Sequence, residues 1–223
     1  LQPIGGFAGL AHAVGAILHT DGAQSAGKVA LDVRELGVDL LSVAGHKLYA
    51  PKGVGALYIR RGTPMVPFVL GAGHERGLRP GTENVAAIVG LGMACEIAGS
   101  DMETVAACVA ALRDDLWQRL AAAVPGVMLN GHRTLRLPNT LNVRFPRVSG
   151  NTILQGAPEI AASTGSACHA GGESASAVIL AMGVAADDAI GSIRLTLGRG
   201  TTAADIEVTA DALVRSWRSA SLA

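Results

Sequence analysis

Short apolar runs alternate with helical stretches along the first third of the chain, the texture of βαβ units. The spacing predicts a helix over Phe7 to Ile17, a buried strand over Ile17 to Asp21 that ends on an acid, a helical turn over Val33 to Leu36, and a second buried strand over Asp39 to Ala44. Gly45, His46 and Lys47 follow that strand at its carboxyl end, where open α/β sheets place their ligands. A third strand is predicted over Val54 to Arg60, and Arg61 to Arg79 reads as a long Gly- and Pro-containing loop of a kind usually kept for function. From Glu83 the texture changes to Ala/Leu-rich helices over Val85 to Ala98 and Met102 to Val124, with Asp101 as N-cap of the second. Strands around Val127 to Leu129 and Thr140 to Phe145, a small-residue loop over Ser163 to Ser176, a helix over Ala177 to Met182, a strand over Ser192 to Leu197 and a closing helix after Thr202 complete the pattern. The expectation is an α/β chain of two domains, residues 1–84 and 85–223.

Composition narrows the function classes. Of 223 residues 49% are hydrophobic and 16% charged, enough apolar material to bury a core and too much for a disordered chain. Lys plus Arg and Asp plus Glu both number 18, so no net field draws nucleic acid or an anionic membrane. Cys95, Cys108 and Cys168 are odd in number and lack metal-ligand spacing, which argues against a disulfide framework or a metal site and for a reducing, cytoplasmic setting. The uncharged stretch Asn84 to Ala94 is too short to span a bilayer, and the amino terminus lacks the basic region of a signal peptide.

Five places carry candidate chemistry. Lys47, after a buried strand, is either an ordinary solvated lysine or a partly desolvated amine that serves as a nucleophile. Asp21, in His19-Thr20-Asp21-Gly22-Ala23-Gln24, is either an N-cap or an acid set against a cofactor's ring nitrogen, with Gln24 a turn away to donate to a ring oxygen. Cys168 lies in Ser163-Thr164-Gly165-Ser166-Ala167-Cys168-His169, a small-residue loop from which a thiol beside a histidine can reach a substrate; the alternative is an exposed structural thiol. Cys95 and Cys108, inside Ala-rich helices, read as small buried hydrophobes. Arg194, in the apolar strand Ser192 to Leu197, needs a carboxylate partner, internal or from a substrate, and Thr82 either caps the following helix or offers its hydroxyl to a phosphate.

Taken in order, HTDGAQ, GHKLYAPKGVGALYIRRG, GAGHERGLRPGTEN and STGSACHAG resemble the cysteine desulfurases of the class V aminotransferase superfamily. That resemblance runs from Leu1 to about Trp217 and implies the carboxy-terminal part of a fold type I pyridoxal-phosphate enzyme: a partial large-domain sheet, mostly parallel, with a small α+β domain. It implies that Lys47 carries pyridoxal 5'-phosphate, Asp21 pairs with the ring nitrogen, Gln24 bonds the ring oxygen, His46 lies in the cofactor's surroundings, and Thr82 reaches the phosphate in the partner subunit of a homodimer. Arg194 would hold the carboxylate of L-cysteine, and Cys168 would take its sulfur as a persulfide for an acceptor protein, an iron–sulfur scaffold or sulfur carrier. Two departures stand out. Ala44 replaces the hydroxyl residue usual three positions before the lysine, a feature shared with selenocysteine lyase, the alternative reading. The chain is also far shorter than such enzymes and lacks their phosphate-binding loop, so the expectation is weak cofactor binding, little turnover, a tendency to aggregate, or a remnant that needs a separate amino-terminal half.

Overall fold

The computed structural model describes residues 1–165 and 175–222 and divides into two compact units, residues 1–103 and 104–223. In the first, helix α1 (Ile4–Ala13) leads into strand β1 (His19–Asp21), then helix α2 (Val33–Leu36) and strand β2 (Leu40–Ala44). A 3-10 turn (Gly45–Leu48) joins β2 to strand β3 (Gly55–Ile59). The sheet runs in the order β1-β2-β3: β1 lies parallel to β2, with Asp21 opposite Ser42, and β3 lies antiparallel, with Gly55 opposite Ala44. The predicted strands are thus present, β1 and β2 starting later than expected and β3 trimmed at both ends, whereas the first helix lies over residues 4–13 and the chain from Val14 onward turns into β1.

Hydrogen bonding explains where β1 and β2 start. Asp39, nearly buried, accepts the Leu18 N–H at 2.9 Å and His12 Nε2 at 2.8 Å on one oxygen, while Arg60 Nε approaches the other at 3.2 Å. Arg60 also donates twice to the Val38 carbonyl, so one carboxylate ties α1, the entry to β1, β2 and the exit of β3. The Leu18 N–H first, and then His12 and Arg60, hold this carboxyl below the usual carboxylate range.

Helix α3 (Val85–Ala123) is a single element of 39 residues where two helices were expected. Gly99-Ser100-Asp101 does not break it: the Ser100 hydroxyl donates back to the Ile97 carbonyl at 2.9 Å, a local bond that a helix tolerates, and Asp101 lies inside the helix rather than capping one. By length and composition alone α3 is long and apolar enough to cross a membrane, so the short uncharged stretch read from the sequence understates it. Leu91 and Ala98 nevertheless pack in the core of the first unit, with Ala26, Leu48 and Ala50. Cys95 and Cys108, expected to be buried, are both exposed, because the stripes of α3 that pack pass to one side of them. The first unit also leaves Val85, Val89 and Met93 of α3 and Val66, Phe68 and Leu70 of the segment between β3 and α3 exposed, Phe68 completely.

The second unit is an antiparallel sheet, β4 (Met128–Leu129), β5 (Thr140–Arg144) and β6 (Ser192–Thr196), backed by helices. Leu141 and Val143 of β5 and Ile193 and Leu195 of β6 alternate inward to meet Leu116 and Leu120 of α3, Ile153 of helix α4 (Gly150–Gln155) and Leu213 and Trp217 of helix α7 (Ala203–Ser221). Short helices α5 (Ala177–Ala181) and α6 (Ala186–Ala189) precede β6; α4 and α6 carry too little periodicity to be read from sequence. Thr202 starts α7 with a reciprocal capping box, its hydroxyl accepting the Asp205 N–H and the Asp205 carboxylate accepting the Thr202 N–H. Glycine is required at position 191, where a Cβ would lie 2.2 Å from the Phe145 carbonyl oxygen.

Leu213 is fully buried, so Leu213→Ala is expected to cost about 2–5 kcal/mol, read as a lowered urea midpoint; a change below about 0.5 kcal/mol would contradict this packing. Because the carboxyl of Asp39 titrates lower when folded, its contribution is present above about pH 4 and is lost as the pH falls through its folded value. Asp39→Asn is therefore expected to lower the melting temperature at pH 7 and to differ progressively less from the parent below about pH 4, whereas a constant difference would contradict the clasp.

Candidate active site

Parallel pairing of β1 with β2 brings the carboxyl ends of both strands to one edge of the sheet, and the polar residues read from the sequence collect there. Asp21 closes β1. One of its oxygens accepts the Ala23 N–H at 2.8 Å, which fixes the carboxylate against the turn that follows, and the residue remains exposed. The capping reading of Asp21 therefore holds for a turn, and its other oxygen is free of protein partners among the described residues. Gln24 stands exposed on the same turn, which is closed by the Ser25 and Ala26 N–H groups on the Gly22 carbonyl.

At the end of β2 the backbone tightens into the turn that carries His46 and Lys47. The Gly45 N–H donates to the Val54 carbonyl and the Ala50 N–H to the Gly45 carbonyl; a Cβ at position 45 would meet the Val54 oxygen at 2.7 Å. Tyr49, with φ of 66°, stops the turn in the left-handed region. His46 is exposed and Lys47 half-buried, between the two readings that the sequence left open. Ala44, the last residue of β2, supplies no hydroxyl to this edge.

Two further residues at this edge were not singled out in the sequence. His19 lies two residues before Asp21 and so on the same face of β1, and its Nε2 meets the Ser42 hydroxyl on β2 at 2.8 Å. Lys28 donates from Nζ to the Lys47 carbonyl at 3.3 Å. Burial first, and then the charge of Lys47, lowers the Lys28 pKa from its ordinary value. The period-two alternation of HTD was a signal for His19; nothing local marks Lys28.

Thr82 lies exposed in the approach to α3 and does not cap it: the Asn84 side chain accepts the Ala87 N–H at 3.2 Å instead. Arg79 donates to the Gly81 and Thr82 carbonyls and shapes that approach. Upstream, Glu75, Arg76 and Gly77 all have positive φ, and the buried Nδ1 of His74 has no partner among the described residues.

Arg194 belongs to the second unit. It sits in the middle of β6 opposite Asn142, half-buried, with its backbone bridged on the other side to Ser163. No carboxylate pairs with its guanidinium among the described residues, so the internal Asp or Glu considered from sequence is not found there. Asn130, Asn142, Ser192 and Arg144 form a neighbouring hydrogen-bonded group on this sheet. Cys168 and His169 lie outside the described residues.

Comparison with known proteins places this arrangement in a family. The chain is 43% identical over 213 residues to a cysteine desulfurase of Gluconacetobacter diazotrophicus, which spans 95% of this chain and 53% of that protein. It is 45% identical over 209 residues to cysteine desulfurase NifS of Azotobacter vinelandii, 93% of this chain and 52% of that protein. Among solved structures, a NifS-like protein from Rickettsia africae superposes with a TM-score of 0.88 at 29% identity, covering 98% of this chain and 58% of the other. SspA in complex with cysteine superposes with a TM-score of 0.70 at 31% identity over 91% of this chain and 56% of the other. The chain thus spans about half the length of the relatives it matches. The aminotransferase class-V family model matches residues 1–208. With the motifs of both units inside that match, the chain belongs to the class V aminotransferase family.

Proposed function

We propose that this chain is the carboxy-terminal portion of a pyridoxal-phosphate-dependent cysteine desulfurase, which moves the sulfur of L-cysteine to Cys168 and leaves alanine. The observation that carries the reading is the joint placement of Asp21 and Lys47 at the carboxyl ends of two adjacent parallel strands. The donor set fits the cofactor: a carboxylate with one free oxygen, an exposed amide at Gln24, an imidazole at His46 and a half-buried amine at Lys47. Bound there, pyridoxal phosphate would supply an electron sink for the substrate's α-carbon.

Each residue then has a physical task. With the cofactor bound, Asp21 would face the ring nitrogen, where a fixed carboxylate favours the cationic ring. Gln24 would donate to the ring oxygen, His46 would border the cofactor, and the Lys47 amine would hold it and move protons at the substrate's α-carbon. Thr82 would offer its hydroxyl to the phosphate across a homodimer. Arg194, with no internal carboxylate among the described residues, binds the substrate's carboxylate. The Cys168 thiolate attacks the substrate sulfur: an S–S bond forms, the C–S bond breaks, and the electron pair left on carbon takes a proton. The persulfide passes to an acceptor protein of the iron–sulfur or sulfur-carrier kind. The solved relative with cysteine bound supports this substrate. The unpaired Cys95 and Cys108 support a cytoplasmic site of action. Ala44 favours a second reading, selenocysteine lyase, and alanine release from L-cysteine and L-selenocysteine compared side by side separates the two.

Lys28, Lys47 and Lys52 are the three lysines of the chain, which makes the cofactor site directly readable. With pyridoxal phosphate in excess and borohydride to fix the adduct, the label is expected on Lys47 in preference to Lys52, mapped by peptide mass. Charge-assisted hydrogen bonds contribute roughly 1.5–3 kcal/mol, so Asp21→Asn is expected to raise the half-saturating concentration about tenfold or more. Equal labelling of Lys47 and Lys52, with no effect of Asp21→Asn, would contradict the assignment.

A further inference from the structure

A lysine that the reaction as described does not use meets the turn at the end of β2. Lys28 reaches back from the loop after β1 to the Lys47 carbonyl, at 3.3 Å from Nζ. Two features bring it there. Gly27, at φ of 69°, takes a left-handed conformation that other residues adopt only with strain, and so lets this loop close onto the lysine-bearing turn beside Leu48. The turn itself returns the Tyr49 and Ala50 N–H groups to the Gly45 carbonyl, and Lys28 donates to the carbonyl of Lys47.

We propose that Lys28 is a positioning residue for Lys47: its ammonium anchors the Lys47 carbonyl and so fixes the turn from which the Lys47 amine reaches the cofactor. The proposal rests on the cofactor reading of Lys47 for its consequence in chemistry, and on geometry alone for the anchoring. Lys28 is half-buried in this position, and burial followed by the charge of Lys47 lowers its pKa, as expected for an ammonium held close to a second lysine rather than free in water.

The test compares Lys28→Met, which keeps the stem and removes the donor, with Lys28→Arg, which keeps a cationic donor, both in the full chain. Amide hydrogen exchange needs no cofactor. At Tyr49 and Ala50, exchange is expected to rise about fivefold in Lys28→Met relative to Leu41 and Val43 of β2, and to return to within about twofold of the parent in Lys28→Arg. Borohydride-fixed pyridoxal phosphate on Lys47 is expected to fall in Lys28→Met and recover in Lys28→Arg, with Lys52 unaffected. Unchanged protection at Tyr49 and Ala50 in Lys28→Met overturns the proposal. So does equal loss in both variants, which would make Lys28 a packing residue rather than a donor. If Lys47 in the parent chain reacts no faster than Lys52, the cofactor reading fails, and the exchange result still decides the role of Lys28.

Discussion

The parallel pairing of β1 with β2 is the constraint on which the site depends. Two strands that run the same way end at the same edge, so an acid that terminates one and a lysine-bearing turn that terminates the other become neighbours without either being near the other in sequence. An antiparallel arrangement of the same strands would put Asp21 and Lys47 at opposite ends. The pairing is fixed at its far end by Asp39, which gathers the Leu18 N–H, His12 and Arg60, and at its near end by the Gly22 N–H on the Ser42 carbonyl. Polar anchoring suits a three-stranded sheet, whose few strands bury little apolar surface.

The second unit solves a different problem. Its sheet has one apolar face, filled by Leu141, Val143, Ile193 and Leu195 against α3, α4 and α7, and one polar face, on which Asn142 and Arg194 stand opposite each other. A guanidinium in the middle of such a strand is held on a rigid element: the Arg194 N–H and carbonyl both pair with Ser163, and its neighbours Ile193 and Leu195 pair with β5. That arrangement suits recognition of a carboxylate, which needs a fixed planar donor more than a mobile charge.

Much of this was legible in the sequence, and the rest was not for identifiable reasons. Strands β2, β3, β5 and β6 announce themselves as short runs rich in Val, Leu and Ile, and β1 by the Ile17-Leu18 pair that leads into it; each lies inside its predicted span. The 39-residue α3 was hidden because Gly99-Ser100-Asp101 carries the local chemistry of a helix boundary, while Ala98 before it and Val109, Leu116 and Leu120 after it pack in buried cores. The exposure of Cys95 and Cys108 was hidden for the opposite reason: an Ala-rich helix offers little contrast between its faces, so pattern alone cannot say which face packs. Asp21, Gln24, His46 and Lys47 stand out in the sequence because their motifs are local; Lys28 does not, because its contact with the Lys47 carbonyl spans 19 residues and passes through a left-handed Gly27.

On the proposed reading, Lys47 holds pyridoxal phosphate at the common edge of β1 and β2. Titration of the chain with pyridoxal phosphate, followed by visible absorbance with Lys47→Ala alongside, decides it. A new band is expected that saturates at high cofactor concentration, changes when L-cysteine is added, and is absent from Lys47→Ala. A band of equal intensity in Lys47→Ala would overturn the reading.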